Sequence, residues 1–576
     1  MSLAEAIIYQ SDEEAMQLVL AGGQDINEHD RFGLRPLIQA VICKKVKTLH
    51  ALVAAGADLE QGDFINRTAL QWASDRDEIE MCYYLLEAGA NPNHYSADGQ
   101  PILVNPILRE QLDLVELFIK FKANYQFAQD YISAKLLGHR FELVGEADIV
   151  SPDGKFIPLS FEGFNLEFST GLIRRSLHNF INSIPGQKFS KIEGKLQRSL
   201  QALKNAAQLT EFGRHKDKSQ FEPVIDALLD SDVLLLPAAY RGHAITFIKY
   251  GNLWAKCDRG VGLIANTVVV SEINNPYAAN KDLYKKILYA HKTEDFVSKE
   301  LNQELALKTL FTLPTRHQLS GNCSWANVET SVAAMLFMLS YNSQRHVGLR
   351  EMTALQKAIY QFYNAWVDWD QDSALEEAME DFEAADETRK LSKAIILGGI
   401  LVQRCDSKFK QHVARAKKIL SILSQQNFSF ILENYCKVFY KQQAGRVGQR
   451  IKKLFKVCGL DCDNFSLKKS VAYMQGNVHS ENLVRMTTAL HVACLQGKLD
   501  VVKHLVTELH IDIDYLDRTG STALMYAAYA GFMPIVKFLI ANGANPNIKN
   551  LKGGTAARYA AYSGNREIVD YLSKIA

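Results

Sequence analysis

The sequence predicts a mainly α protein in which two stacks of short helical repeats flank an α+β module and a helical region. Short motifs recur near both ends at steps of 33 or 34 residues. One internal stretch, Asp232–Val270, is rich in strand-forming residues and carries a Gly-Asn turn signal. From Asn280 to Lys456 apolar positions follow the helical period. These features divide the chain into residues 1–140 (first repeats), 141–170 (an inserted β-hairpin), 171–345 (the α+β module), 346–477 (the helical region) and 478–576 (second repeats).

In the first stack, Arg31–Asp63 carries Arg35-Pro36-Leu37 and Gly56-Ala57-Asp58-Leu59. Phe64–Ser96 carries Thr68-Ala69-Leu70 and Gly89-Ala90-Asn91-Pro92-Asn93, and Ala97–Gln129 carries Pro101-Ile102-Leu103. Ser2–Gly23 reads as a degenerate first unit that caps the stack. In the second stack Thr488-Ala489-Leu490-His491, Thr522-Ala523-Leu524 and Thr555-Ala556-Ala557 keep the same step, as do Gly497, Gly531 and Gly564. The Thr caps the first short helix of each unit, Ala and Leu face the neighbouring unit, and the Gly permits a positive-φ exit between helices. One such unit cannot bury its apolar face alone, so units stack. The pattern resembles the ankyrin repeat, and His491 belongs to its signature. That resemblance implies protein–protein recognition through loop tips and the concave helical face, with Arg31, Phe64 and Tyr95 as exposed tip residues.

Beyond Gln129, Asp130–His139 reads as the start of a further helix pair. Phe141–Phe168 then becomes strand-like around the turn Pro152-Asp153-Gly154. This hairpin is either an inter-domain strut or a recognition finger whose tip is Pro152, Asp153 and Gly154. Further on, Arg174–Ile184, Lys191–Leu209, Leu349–Val367, Lys390–Val402, Gln411–Leu423 and Phe430–Tyr440 read as helices. Acidic Asp368–Glu387 and basic Lys437–Lys456 read as solvated helix faces, the latter alternatively as a nuclear-import patch.

Composition limits the functional classes. Hydrophobic residues make up 47% and charged residues 22% of 576, ordinary values for a globular protein. Lys and Arg number 65 against 64 acids, which argues against bulk binding to nucleic acid or anionic membrane. Nine scattered Cys point to reduced thiols. Neither a signal peptide nor a membrane span is expected, since the longest apolar runs, around Ala394–Val402 and Val332–Leu339, are about half a span. Cys458 and Cys462 lack a completing zinc pair, and no cofactor or metal is expected.

The chemistry concentrates between Tyr240 and Met338. Gly242–Tyr250 reads as a strand, Gly251-Asn252 as a two-residue turn, and Leu253–Asp258 as the returning strand. If Tyr250 faces Leu253, then Ile245 faces Asp258 and His243 faces Gly260. His243 and Asp258 then share one sheet face as diagonal neighbours, within side-chain reach. A carboxylate so placed holds the imidazole in one tautomer. Gln318-Leu319-Ser320-Gly321-Asn322-Cys323 precedes an apolar helical pattern, which places Cys323 at a helix N-terminus that favours a thiolate. Gln318 is positioned to donate to an oxyanion. The order His, acid, Gln-x4-Cys resembles the clan CE cysteine proteases, a group that includes SUMO and ubiquitin-like proteases, the adenoviral protease and the YopJ-type acetyltransferases. Gly-Asn-Cys-Ser-Trp is also similar in wording to the papain-like enzymes, which place Cys before His. By position, the resemblance makes Cys323 the nucleophile, His243 the base, Asp258 the orienter and Gln318 the oxyanion donor. No Trp directly follows His243, and Asn322 stands where the family has an acid, so the nature of the substrate stays open.

Repeat stacks flanking a cysteine-protease-like module resemble the ankyrin-repeat effectors of Legionella delivered by type IV secretion. The resemblance implies secretion into a host cell, residence in the host cytosol or nucleus, and host-protein partners bound through the repeats and the hairpin. Two functions follow: a cysteine protease, isopeptidase or acyltransferase fed by the repeats, or a non-catalytic ankyrin scaffold with a degenerate module.

Overall fold

The computed structural model describes residues 3–30, 33–161, 163–215, 218–240, 243–259, 268–313, 322–341, 349–429, 431–432, 446–460, 487–495, 497, 499–503, 506–507, 513–514, 516, 520–550, 554–563 and 565–575. Arg31, Gly242, Gly260, Gln318, Gly321, Cys462 and Gly564 lie outside them, as does most of Phe430–Tyr440. The chain is mainly helical, with repeats at both ends and a central α+β region. It forms two compact units: Met1–Leu136 with Ala147–Ser160 and Phe382–Ile396, and Leu137–Glu146 with Phe161–Asp381 and Leu397–Ala576. Among the described residues no helix is long and apolar enough to cross a membrane.

The first unit is built from helix pairs, beginning with Leu3–Tyr9 and Asp12–Ala21. The second of these opens on a capping box, with Ser11 and Glu14 each satisfying the other's backbone N–H. Pro36–Ile42 starts with Pro at its first turn, where the missing N–H costs nothing. Thr68 caps Ala69–Asp75 through the Gln71 N–H, as the repeat pattern requires. Side chains also bridge one repeat to the next. Asn27 accepts from the Asp58 N–H at 3.0 Å, Glu60 from Asn91 at 2.7 Å and Asn93 from Asn124 at 2.6 Å. The exit between paired helices has positive φ as expected, but here Lys44, Asp77 and Glu110 occupy it at φ 55°, 64° and 58°. Only the second stack places Gly there, at Gly497 and Gly531.

Strands β1 (Glu146–Val150) and β2 (Phe156–Ser160) form the expected hairpin. Gly154 at φ 79° closes its turn, and Ser151 N–H donates to the Lys155 carbonyl. Between Ala147 and Ser160 the strands are largely packed into the first unit: Ile149, Val150, Ile157 and Leu159 are buried, and Lys135 Nζ donates to the Ser160 carbonyl at 2.6 Å. A Cβ at Gly99 would lie 2.2 Å from the Pro158 carbonyl oxygen, so backbone meets backbone there. The hairpin body is therefore not a free finger, and only Pro152–Lys155 at its tip is exposed. Asp130, within helix Tyr125–Arg140, is buried and salt-bridged to Arg389 and Lys393. Strand character stops earlier than expected, because Asn165 caps helix Leu166–Asn182.

In the second unit, β3 (Val233–Tyr240), β4 (His243–Tyr250), β5 (Leu253–Cys257), β6 (Val268–Ile273) and β7 (Leu307–Leu313) pair consecutively as one antiparallel sheet. Strand β7 departs from the helical periodicity read after Asn280; its Leu307, Leu310 and Leu313 recur every three residues across an irregularity in the pairing with β6, which hides the two-residue period. One sheet face packs Leu234, Leu236, Ile245, Phe247 and Trp254 into an apolar cluster with Leu209, Ile225 and Ile287. Against the sheet lies helix Cys323–Ser340, buried continuously from Cys323 to Met338. Acidic Asp368, Asp372 and Glu376 on helix Leu349–Ala384 are more than a solvated face. They pair with the buried Arg415 and with Lys418 from helix Lys410–Leu423. The second repeat stack buries Leu490, Leu524, Ile535, Val536, Leu539, Ile568 and Leu572 together. Thr522 and Thr555 cap their helices as read, and His491 hydrogen-bonds within the stack to the Ser521 carbonyl.

Candidate active site

The turn at Gly251-Asn252 sets the register anticipated from sequence. Tyr250 pairs with Leu253 and Thr246 with Cys257, so Asp258 falls just beyond the ladder, opposite Ile245. His243, the first residue of β4, shares a face with the buried Ile245 and Phe247. Its Nε2 meets Asp258 Oδ1 at 2.9 Å. Lys256 Nζ lies 3.3 Å from the other carboxylate oxygen, and the Tyr240 ring stands edge-on to the imidazole at 5.4 Å.

Cys323 is the first residue of its helix, where N–H groups without an intrahelical acceptor concentrate positive potential. The sulfur accepts the Ala244 N–H at 3.2 Å and is hydrogen-bonded to His243. With Nε2 committed to Asp258, Nδ1 is left to serve the sulfur. Cys323, His243 and Asp258 thus stand together with the imidazole between the other two; Gln318 lies outside the described residues.

Burial acts against charge at both partners and is outweighed. It pulls the imidazolium down, yet the hydrogen bonds and charges of Asp258 and Cys323 raise His243 to about 9. It pushes the thiol up, yet His243 and the Ala244 and Ser324 N–H groups hold Cys323 below its ordinary value. Both shifts favour a thiolate–imidazolium pair, which can attack a carbonyl carbon and return a proton to a leaving group. Cys257, buried and without such partners, is pushed the other way.

Three buried polar residues around the site, Asn327, Arg259 and Glu329, were given no role by the sequence. Asn327 bonds the main chain next to both His243 and Asp258. Arg259 is ion-paired with Glu142 at 2.5 Å and Glu329 at 3.6 Å. Tyr363 donates to Glu329, whose burial raises it to about 7. Asn327 and Glu329, the amide and the acid within the buried stretch of helix Cys323–Ser340, were the available signal. Of the tip residues, Phe64 is 66% exposed and covers Gly33. Tyr95 is half-buried, edge-on to Phe127 at 6.0 Å and bridged to Pro101, which corrects its reading as a free tip. Pro152, Asp153 and Gly154 are exposed.

The family described as ankyrin repeats matches three times, over residues 3–96, 464–550 and 490–576. Palmitoyltransferase akr1 of Schizosaccharomyces pombe is 44% identical over 59 residues, 10% of this chain and 9% of that protein. Inversin of Mus musculus is 33% identical over 91 residues, 16% of this chain and 9% of that protein. The chain spans about a tenth of the length of these curated relatives. Among solved structures, that of the Legionella effector AnkH is similar at 35% identity and a TM-score of 0.68, covering 80% of this chain and 98% of that one.

Proposed function

We propose that this ankyrin-repeat protein, similar to the Legionella effector AnkH over 80% of its length, is an effector that captures host proteins with its repeats and acts on them through Cys323. In this reading residues 1–140 and 478–576 bind, the hairpin at 141–170 contributes its tip, 171–345 forms a cysteine-protease-like domain, and 346–477 supports it. Export by type IV secretion and action in the host cytosol or nucleus come with the likeness to an effector. The observation that carries the chemistry is the His243–Asp258 contact at 2.9 Å beside a sulfur held at a helix start.

The thiolate attacks an acyl carbon and a C–S bond forms. Gln318 is the proposed donor to the developing oxyanion. His243 passes its proton to the leaving amine as the C–N bond breaks, leaving a thioester. Water, deprotonated by His243, then cleaves the C–S bond and restores the thiolate and a free acid. An amine acceptor in place of water makes the same site an acyltransferase. Asp258 keeps Nε2 oriented and steadies the imidazolium.

Cys323 and His243 are only 8% and 9% exposed, which favours a second reading: a binding scaffold whose module is inactive. Site-resolved alkylation of the full chain separates the two. An active site predicts that Cys323 is modified by iodoacetamide at about pH 6 far faster than an ordinary thiol of pKa about 8.5. It also predicts turnover of peptide, isopeptide or acyl-donor substrates that Cys323→Ala abolishes. An ordinary titration with no turnover leaves the scaffold.

A further inference from the structure

We infer that Asn327 is a positioning residue of this site, its carboxamide clamping the segments that carry His243 and Asp258 onto the helix that carries Cys323. The inference rests on the thiol-site reading above. Asn327 lies four residues after Cys323, on the same helix face, and is fully buried. Its Nδ2 donates to the Ala244 carbonyl at 2.6 Å, and its Oδ1 accepts the Arg259 N–H at 2.6 Å. A carbonyl requires a donor and an N–H requires an acceptor, so these partners fix the orientation of the amide.

Ala244 follows His243 and Arg259 follows Asp258. The Ala244 N–H already donates to the Cys323 sulfur, so this residue is tied to the helix by both its N–H and its carbonyl. Asp258 needs such a tie more than His243 does. It lies just past Cys257, the last residue of β5, outside the described ladder pairs, whereas His243 is paired with Tyr240. The Arg259 side chain anchors the same segment to the helix a second time, through Glu329. An apolar residue at 327 would pack a helix onto a sheet as well, without burying an amide, which costs free energy unless both ends are bonded. The bonds that offset this cost run to the two positions that set the imidazole–sulfur and imidazole–carboxylate distances.

The test is the pH profile of Cys323 alkylation by iodoacetamide in the full chain, read peptide by peptide by mass spectrometry, alongside thermal melting. Loss of the clamp in Asn327→Ala lowers the rate at about pH 6 by roughly tenfold or more, the change expected if the thiol rises by about one pKa unit. At alkaline pH, where any thiol ionises, the rates converge. Asn327→Asp keeps the shape and adds a signature. Its neutral carboxyl can make both bonds, while its ionised form sets oxygen against the Ala244 carbonyl. Reactivity therefore stays near wild type at low pH and falls as the carboxyl ionises, a descending limb absent from the wild type. If both variants melt lower yet keep the wild-type profile, Asn327 is merely structural and the inference is overturned. If Asn327→Ala does not fold, the Asn327→Asp limb decides. A wild-type Cys323 that titrates as an ordinary thiol defeats the thiol-site reading, and the clamp with it; a normal wild-type profile retained in the variants defeats the clamp alone.

Discussion

His243 faces an anion on each side, and its charge state links chemistry to stability. Its folded pKa of about 9 lies above the ordinary 6.5, so its contribution is complete below 6.5 and is lost as the pH rises through about 9. The thiol runs the other way, held below its ordinary 9.0, with a contribution present above that value and fading as the pH falls. Asp258→Asn removes the carboxylate that stabilises the imidazolium. It is expected to lower the melting temperature most near and below about pH 6.5, with the deficit shrinking as the pH rises through about 9, where the imidazole is neutral in both proteins. A pH-independent deficit would show that Asp258 acts only through packing. If the site turns over, the same substitution lowers the rate by about 10²–10⁴-fold through the wrong tautomer. This pair was legible because a two-residue turn sets the register of everything beyond it. Asn327 was not, since its partners lie 83 and 68 residues away in sequence and no local pattern connects them.

At the scale of elements, the repeats were the most readable feature because each unit restates its caps and small residues at a constant step. What varied was the residue at the positive-φ exit, where Lys44, Asp77 and Glu110 tolerate a conformation that Gly531 occupies without strain. Strand β7 and the charge pairing of Asp372 with Arg415 were hidden because they depend on distant partners. The hairpin was visible from its turn, but its packing was not. Gly99→Ala is expected to destabilise the first unit by about 1–3 kcal/mol, since the new methyl group meets backbone oxygen at a positive φ. Unfolding by urea checks this, and an unchanged midpoint would mean that the hairpin is not seated on the repeat. Exchange of the exposed tip Pro152-Asp153-Gly154 for another turn-forming triplet is expected to leave stability within about 0.5 kcal/mol. Deleting residues 141–168 removes buried Ile149 and Leu159 and is expected to unfold the unit rather than only abolish binding.

For the whole molecule, near-neutral charge leaves recognition to shape and local contacts rather than to long-range attraction. The two repeat stacks belong to different compact units, and the thiol site belongs to the second. This partition gives the proposed division of labour a direct test. Phe64 and the hairpin tip are exposed on the first unit, and the three thiol-site residues are elsewhere. Phe64→Ala combined with a tip exchange is expected to weaken capture of a host partner in pull-down while leaving the Cys323 alkylation rate unchanged. Cys323→Ala is expected to do the reverse, abolishing turnover while retaining capture. On a captured substrate the first variant raises KM with little change in kcat, because it removes binding energy remote from the reacting bond, whereas Asp258→Asn lowers kcat. Should the Phe64 variant lose alkylation reactivity along with capture, the two functions are not separable in the way the units suggest. Should both variants capture the partner normally, recognition must reside in the second stack, and exposed residues there such as Tyr529 become the next positions to exchange.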